Sequence, residues 1–219
     1  NSFVRDRVFG NIKADWQITP NLTLMGRYSL DTYREERQTK IGNSYTNDAR
    51  GSYGIINLSR FERNADFLLT YKREINDFSF SVSGGGNTRY QKNTDMTSAS
   101  KNGTGLVIPG LYTLSNIAPA NLSIGSAMYE KAVFSAYGLA NLGFKDMVYL
   151  DLTARNDWSS TLPKANRSYF YPSASLSVLL NEMIPMSNQI SLFKLRGGWA
   201  QVGNDTNPYS LLATLGNSG

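Results

Sequence analysis

The sequence predicts an all-β chain: an antiparallel sheet of about eight strands that crosses a membrane as a segment of a β-barrel wall. Three observations carry this. Segments of about ten residues or more alternate apolar and polar side chains with a period of two, well beyond the roughly five to six residues usual for a soluble strand. Short turns and long polar loops take turns between those segments. Mean hydropathy is −0.34 and no run of about eighteen apolar residues exists, which excludes a transmembrane helix. A membrane strand passes that test, because alternation halves its apparent hydrophobicity.

The first segment, Val8 to Ile18, sets Val8, Ile12, Trp16 and Ile18 against Phe9, Asn11, Lys13 and Asp15. Thr19-Pro20-Asn21 ends it, since proline fixes φ and removes a ladder donor. Leu22, Leu24 and Tyr28 follow on one face, with Thr23, Arg27 and Asp31 on the other. From Thr32 to about Tyr53 the period dissolves and a long loop is expected. The next strand is firm from Ala65 to Ile75, where Phe67, Leu69 and Tyr71 oppose Asp66, Thr70 and Lys72. Arg73 falls on the apolar side near the strand end, where a long side chain can reach the interface.

Asn76-Asp77 forms a short turn from residue types that tolerate positive φ. Phe78, Phe80 and Val82 then alternate with serines as far as Gly84-Gly85-Gly86, which indicates a bend or a close backbone approach. A phosphate loop is a poor alternative, because no Lys-Ser/Thr pair and no helical pattern follow. Asn93 to about Met128 is expected to be the longest loop, with Pro109 and Pro119. Ala132 to Phe144 resumes the alternation, although Val133, Tyr137 and Leu139 make its second face less polar. Lys145-Asp146 reverses the chain.

Met147 to Trp158 is the clearest segment, with Val148, Leu150, Leu152 and Trp158 on one side and Tyr149, Asp151, Arg155 and Asp157 on the other. At roughly 3.3 Å per residue and a tilt near 40°, it spans the roughly 25 Å apolar band of an outer-membrane barrel. After a loop, Ala174, Leu176, Val178 and Leu180 alternate with Ser173, Ser175 and Ser177. A turn from Asn181 to Gln189 contains Pro185, and a last strand from about Ile190 to Val202 sets Phe193, Leu195 and Trp199 against Lys194 and Arg196.

The faces follow from the period. Leu22, Leu24, Phe67, Leu69, Phe78 and Phe80 are expected to meet lipid, as are Val148, Leu150, Leu152, Leu176, Val178 and Leu195. Arg27, Asp66, Lys72, Asp151, Arg155, Asp157, Lys194 and Arg196 are expected to line a watery lumen, where they could also simply pair with neighbours and hydrate the wall. Trp16 lies near a short turn while Trp158 and Trp199 approach long loops, as two interfacial girdles require.

Composition narrows the function. There is no cysteine and no histidine among the 219 residues, which removes disulfides, thiolate or imidazole metal sites and the commonest catalytic base near neutral pH. No catalytic, cofactor-binding or metal site is expected, and no enzymatic activity. Asp151 and Asp157 invite comparison with a glycosidase pair, but six residues along a strand set them about 20 Å apart. Net charge is +5, with basic residues scattered along the chain, which argues against nucleic acid. The chain opens on Asn1-Ser2-Phe3 with no leader pattern and ends on Asn217-Ser218-Gly219 within a loop, so both ends are expected to be cut from a longer protein.

Four blocks carry a family resemblance: LDLTARNDWSSTLP at Leu150 to Pro163, YFYPSASLS at Tyr169 to Ser177, KLRGGWAQVGND at Lys194 to Asp205 and, more weakly, NADFLLTY at Asn64 to Tyr71. Together they resemble the middle to later barrel of the SusC/RagA-like TonB-dependent transporters of the Bacteroidetes outer membrane. The resemblance implies a barrel of about 22 strands with a plugged lumen, of which residues 1 to 219 supply about a third. It also implies import of a bulky nutrient, a glycan or a peptide, with a SusD-like surface lipoprotein as partner, outer-membrane lipid around the wall and TonB acting through a plug and amino-terminal parts that are absent here. Two other readings stay open on the residues alone. One is a small closed eight-stranded outer-membrane barrel with a passive or structural role, and the other a soluble carbohydrate-binding sandwich whose exposed Tyr and Trp would stack on sugar.

Overall fold

A computed structural model describes residues 1–163, 167–184 and 190–203. Eight strands follow one another: β1 (Ser2–Thr19), β2 (Leu22–Ile41), β3 (Ser52–Ile75), β4 (Phe78–Ser100), β5 (Leu122–Phe144), β6 (Val148–Ser159), β7 (Ser168–Leu179) and β8 (Lys194–Ala200). They form one sheet in the order β1-β2-β3-β4-β5-β6-β7-β8, each strand beside its neighbour in sequence. The only α-helix among the described residues is the single turn α1 (Leu180–Met183), and the all-β expectation holds.

The sheet has two ends. Every residue of β1 and of β8 is exposed, whereas the strands between them are largely half-buried. A closed eight-stranded barrel would pair β1 with β8 and have no edge; among the described residues the order leaves both strands at the margins, which is not the arrangement of the small closed barrel. The architecture is that of a segment of a wider wall.

The register keeps each face uniform, because residues directly opposite one another share a side of the sheet. Leu142, Leu150 and Leu176 form one row, and Ala140, Leu152, Ala174 and Trp199 another. Between them lie Asn141, Asp151 and Ser175. A slip of one residue between β5, β6 and β7 would put leucine against aspartate, tyrosine or serine, so the period of two fixes the alignment. The short turns add to this. Lys145 and Asp146 sit at φ 51° and 56°, and the Met147 N–H donates to the Phe144 carbonyl at 3.0 Å, the geometry of a type I′ hairpin turn. Asn76 is likewise at φ 51°. Each turn is also tied to the neighbouring hairpin: Lys72 of β3, the turn residue Lys145 and Leu179 of β7 donate backbone N–H groups to the carbonyls of Asn21, Asp77 and Met147 at 2.7–2.8 Å.

Several boundaries differ from the sequence reading. The expected loop from Thr32 to Tyr53 is strand at both ends, leaving 42–51 as the connection, and the expected loop from Asn93 to Met128 shrinks to 101–121. Alternation marks a strand only where the two faces meet different solvents. Residues such as Asn93 to Ser100 pair as strand yet carry polar groups on both faces, so their period is invisible. The final strand covers seven residues, Lys194–Ala200, and not Ile190 to Val202, so Phe193 precedes it. The turn expected from Asn181 begins as α1, where the Asn181 side chain accepts the Phe193 N–H at 3.2 Å; Pro185 lies outside the described residues.

Packing divides the chain into two units. The first comprises Asn1–Gly10, Leu30–Arg63 and Gln91–Glu130, and the second Asn11–Ser29, Asn64–Tyr90 and Lys131–Gly219. The first holds a small apolar core of Tyr53, Leu106 and Ile117, with Ile55, Tyr112, Leu114 and Leu122 against it. The second reverses the usual order. Among its described residues no large apolar side chain is buried, while Asp66, Ser135, Ser159 and Ser177 all are. Phe67 and Phe134 stand 56% and 60% exposed on the apolar side. In water such a surface would go uncompensated at about 25 cal/mol for each Å² of apolar area left exposed; in hydrocarbon it is the stable arrangement. A soluble sandwich would require a second sheet over the apolar face, and the described residues form one sheet.

Candidate functional site

The polar face of the second unit carries the chemistry. Arg27 Nε donates to Asp66 Oδ2 at 3.0 Å, bridging β2 and β3, and the Asp66 side chain is 4% exposed. On β6, Arg155 donates through Nε to Asp157 Oδ1 at 2.7 Å and through Nη2 to Ser135 Oγ at 2.8 Å. These two residues stand two apart on one strand face, which is why alternation brings them together. Tyr171 Oη reaches the second Asp157 oxygen at 3.4 Å, and the Tyr137 ring lies beside the Arg155 guanidinium, 5.7 Å from its centroid. Tyr137, which made its strand face look less polar in the sequence, therefore covers a cation.

Asp151 sits in a separate group, accepting from Asn141 Nδ2 at 2.6 Å and from Ser175 Oγ at 3.3 Å, its two partners in the register. Serine and threonine continue the pattern: Thr70 with Ser83 at 2.9 Å and Thr153 with Ser173 at 2.5 Å. Lys72 lines a groove of about 540 Å³ near the short turns, with Pro20, Asn21, Ser79, Ser81, Asn141 and Tyr149. Lys194 and Arg196 lie on the margin strand β8, both exposed, Arg196 opposite Ser177. Of the eight residues expected on the polar face, the structure joins Arg27 to Asp66 and Arg155 to Asp157, gives Asp151 its own partners, and leaves Lys72, Lys194 and Arg196 apart from these pairs.

Arg27→Ala leaves the enclosed Asp66 carboxylate without its cation. Because Arg27 is half exposed and water can replace it, the expected loss is about 1 kcal/mol of stability, measured by urea unfolding in detergent; Arg27→Lys is expected to recover part of it.

Two of the three glycines of β4, Gly85 and Gly86, are close approaches, while Gly84 has open space around it. A β-carbon on Gly85 would lie 2.3 Å from the Phe67 carbonyl oxygen and 3.1 Å from both Leu68 and Tyr137, and one on Gly86 would lie 2.8 Å from the Phe67 ring. Absence of side chains there lets Tyr137 close over the polar face and Phe67 lie flat on the apolar one. At the short-turn end, the Phe78 and Phe144 rings pack at 4.8 Å between centroids.

The first unit holds a second polar cluster that the sequence reading passed over. Glu35, its side chain fully enclosed, accepts from Arg5 at 2.5 and 2.6 Å and from Arg37. Arg5 also stacks over Tyr33 at 4.8 Å, and Arg7 grips Asp31 with both forks at 2.9 and 2.6 Å. Burial pushes the Glu35 carboxyl up, but the hydrogen bonds from Arg5 and then Arg37 outweigh it, and its pKa is held below the usual value. A depressed carboxylate contributes stability at neutral pH that is lost as pH falls through its lowered pKa. The signal was present as Arg34-Glu35-Glu36-Arg37, whose i, i+2 spacing puts Glu35 and Arg37 on one face once a strand is granted.

The connection 101–121 is folded. Asn116 accepts the Ile108 N–H at 2.9 Å and donates to the carbonyls of Ile108 and Leu111 at 2.7 Å each. Arg50 donates to the Leu106 carbonyl at 2.8 Å and to that of Val107, while Asp48 accepts the Gly103 N–H at 2.8 Å. Leu106 is thereby buried, and Val107 and Ile108 are held outward, 54% and 57% exposed. No sequence period marks contacts that join residues more than fifty positions apart.

On this face, then, the pairs Arg27–Asp66 and Arg155–Asp157 stand with hydrogen-bonded hydroxyls between them. No family model and no curated protein matches the chain. Solved structures do. The chain is similar to the RagAB peptide transporter, at 22% identity and a TM-score of 0.76 over 91% of its length. It is similar also to the RagAB peptide importer in its closed-closed state (22%, 0.77, 93%) and its open-open state (21%, 0.75, 91%). It spans 22–23% of the length of those chains, and what the likeness establishes is the fold: this sheet is built like one portion of theirs.

Proposed function

We propose that residues 1–219 are part of the barrel domain of a TonB-dependent outer-membrane transporter of the SusC/RagA-like kind, importing a bulky nutrient with a SusD-like lipoprotein at its outer mouth. One observation carries the reading: in the second unit the buried side chains are polar while the large apolar ones stand open, in a sheet whose order leaves β1 and β8 at its margins. In this reading Phe67, Leu69, Phe78, Leu152, Leu176 and Leu195 meet lipid, and Arg27, Asp66, Asp151, Arg155 and Asp157 face the lumen. Peptide is favoured over glycan as cargo, because solved structures to which the chain is similar are those of a peptide transporter or importer. TonB would act through a plug domain outside these residues. The rigid Val107-Ile108 knuckle on 101–121 supplies an apolar contact for the lipoprotein, as an exposed patch held by internal hydrogen bonds loses little entropy on binding.

The test is purification of the full-length protein from native outer membranes. A surface lipoprotein is expected to co-purify in equimolar amount, and the double substitution V107D/I108D is expected to weaken that association at least tenfold with barrel content unchanged. Uptake of labelled peptides that persists after a protonophore collapses the proton-motive force would overturn the energised-transport reading.

A further inference from the structure

On the polar face of the second unit, the group around Arg155 presents more donors than holding the sheet together requires. Arg155 and Asp157 lie two apart on β6, so their ion pair ties no two strands; what it does is aim the guanidinium. A guanidinium carries five N–H groups. Nε is engaged by Asp157 and Nη2 by Ser135 Oγ, while among the described residues Nη1 has no partner. The acid beneath is occupied from its other side, since Tyr171 Oη donates to the second Asp157 oxygen at 3.4 Å. Exposure follows the same division, with the Arg155 side chain 44% exposed and that of Asp157 14%. The group therefore offers a cation and N–H donors to the solvent and few acceptors.

Aromatic rings frame it. Tyr137, Arg155 and Tyr171 are directly opposite one another across β5, β6 and β7, which puts them in one row on one side of the sheet. The Tyr137 ring centroid lies 5.7 Å from the guanidinium carbon, and Tyr169, opposite Asp157, packs on Tyr171 at 5.6 Å between ring centroids. The missing side chain of Gly85 is what lets the Tyr137 ring lie there. The same polarity recurs on this face at Arg27, half exposed through its side chain while its partner Asp66 is 4% exposed. Lys72 has no ion pair among the described residues. What this part of the wall shows to water is mainly positive charge.

We propose that Arg155, framed by Tyr137 and Tyr171, is a subsite for a carboxylate of the cargo: an acidic side chain of a peptide accepts from the free Nη1 N–H groups while the peptide packs against the tyrosine rings. Charge complementarity selects the occupant. A planar carboxylate matches the guanidinium in geometry and sign, and an ammonium group is repelled by it. A peptide that carries glutamine in place of glutamate keeps the shape and loses the charge. The inference rests on the transporter reading above and narrows its cargo to anionic peptides.

Initial uptake by cells producing the full-length protein tests it, with labelled, carboxyl-amidated peptides of about ten residues that are identical except for positions holding all glutamate, all glutamine or all lysine. The glutamate peptide is expected to enter about fivefold faster than the glutamine peptide at low concentration, the size of one partly exposed charge pair, and the lysine peptide to be the slowest. Arg155→Gln is expected to bring the glutamate-to-glutamine ratio to about one, and Arg155→Lys, which keeps the charge without the planar fork, to about halve it. Lys13→Gln removes another cation of the polar face, one paired with Asp15 at 2.9 Å, and is expected to leave the ratio at its wild-type value. Equal wild-type uptake of the glutamate and glutamine peptides overturns the inference, as does an undiminished ratio in Arg155→Gln or, where that variant fails to assemble, in Arg155→Lys. An equal fall in Lys13→Gln also overturns it, by assigning the preference to the general field of the wall. Energised uptake without preference rejects only the subsite, whereas uptake of none of the peptides, or uptake indifferent to a protonophore, rejects the transporter reading and the subsite with it.

Discussion

Leu152→Arg is expected to cost about 2 to 4 kcal/mol, the penalty for arginine on the lipid face near mid-membrane. Leu152 is the fifth residue of β6, flanked by Ala140 and Ala174 in the register, so neither neighbour can pair with the new cation. The next residue supplies the control. Thr153 faces Leu139 and Ser173 on the polar side, and Thr153→Arg forfeits one hydroxyl contact, an expected loss under about 1 kcal/mol. Folding titrations into lipid vesicles would measure both, and equal effects would contradict the assignment of faces.

Gly85→Ala is expected to be the second most damaging change, at about 1 to 3 kcal/mol or more. Its β-carbon would sit 2.3 Å from a backbone oxygen, that of Phe67, so β3 and β4 must part, and the Tyr137 ring, 3.1 Å away, must give as well. Gly143→Ala is the instructive contrast. There the 2.3 Å neighbour is the Ser79 hydroxyl, which can rotate away, and the expected cost is well under about 1 kcal/mol. Heat-modifiable gel mobility of the two variants would rank them.

The order and pairing of the strands were legible because a side chain that meets hydrocarbon and a side chain that meets water obey different rules at every second position. Val148 to Trp158 and Phe78 to Val82 declared themselves for that reason, and the turns at Asn76 and Lys145-Asp146 did so through residue types that accept positive φ. The same logic explains what was missed. Past the apolar band both faces of a strand are wet, so Asn93 to Ser100 and Leu122 to Met128 looked like loop. The Glu35 cluster was hidden inside one such extension, and the fold of 101–121 depends on Asn116 within it and on Arg50 and Asp48, whose contacts reach more than fifty residues across the sequence. Charge pairing was only half visible: Arg155 and Asp157 share a strand face at short spacing, but nothing local links Arg27 to Asp66.

Residues 1–219 contain no cysteine, so single cysteines can be placed one at a time along Val148–Ser159 in the full-length protein, after replacement by serine of any cysteine outside this segment. Each would be challenged in native membranes with a bilayer-restricted and a water-soluble thiol probe. Positions 150 and 152 are expected to react only with the former and positions 151, 153 and 155 only with the latter, alternating without interruption through the apolar band. Bilayer-restricted labelling at 151 and 155 with 150 and 152 untouched would contradict the account.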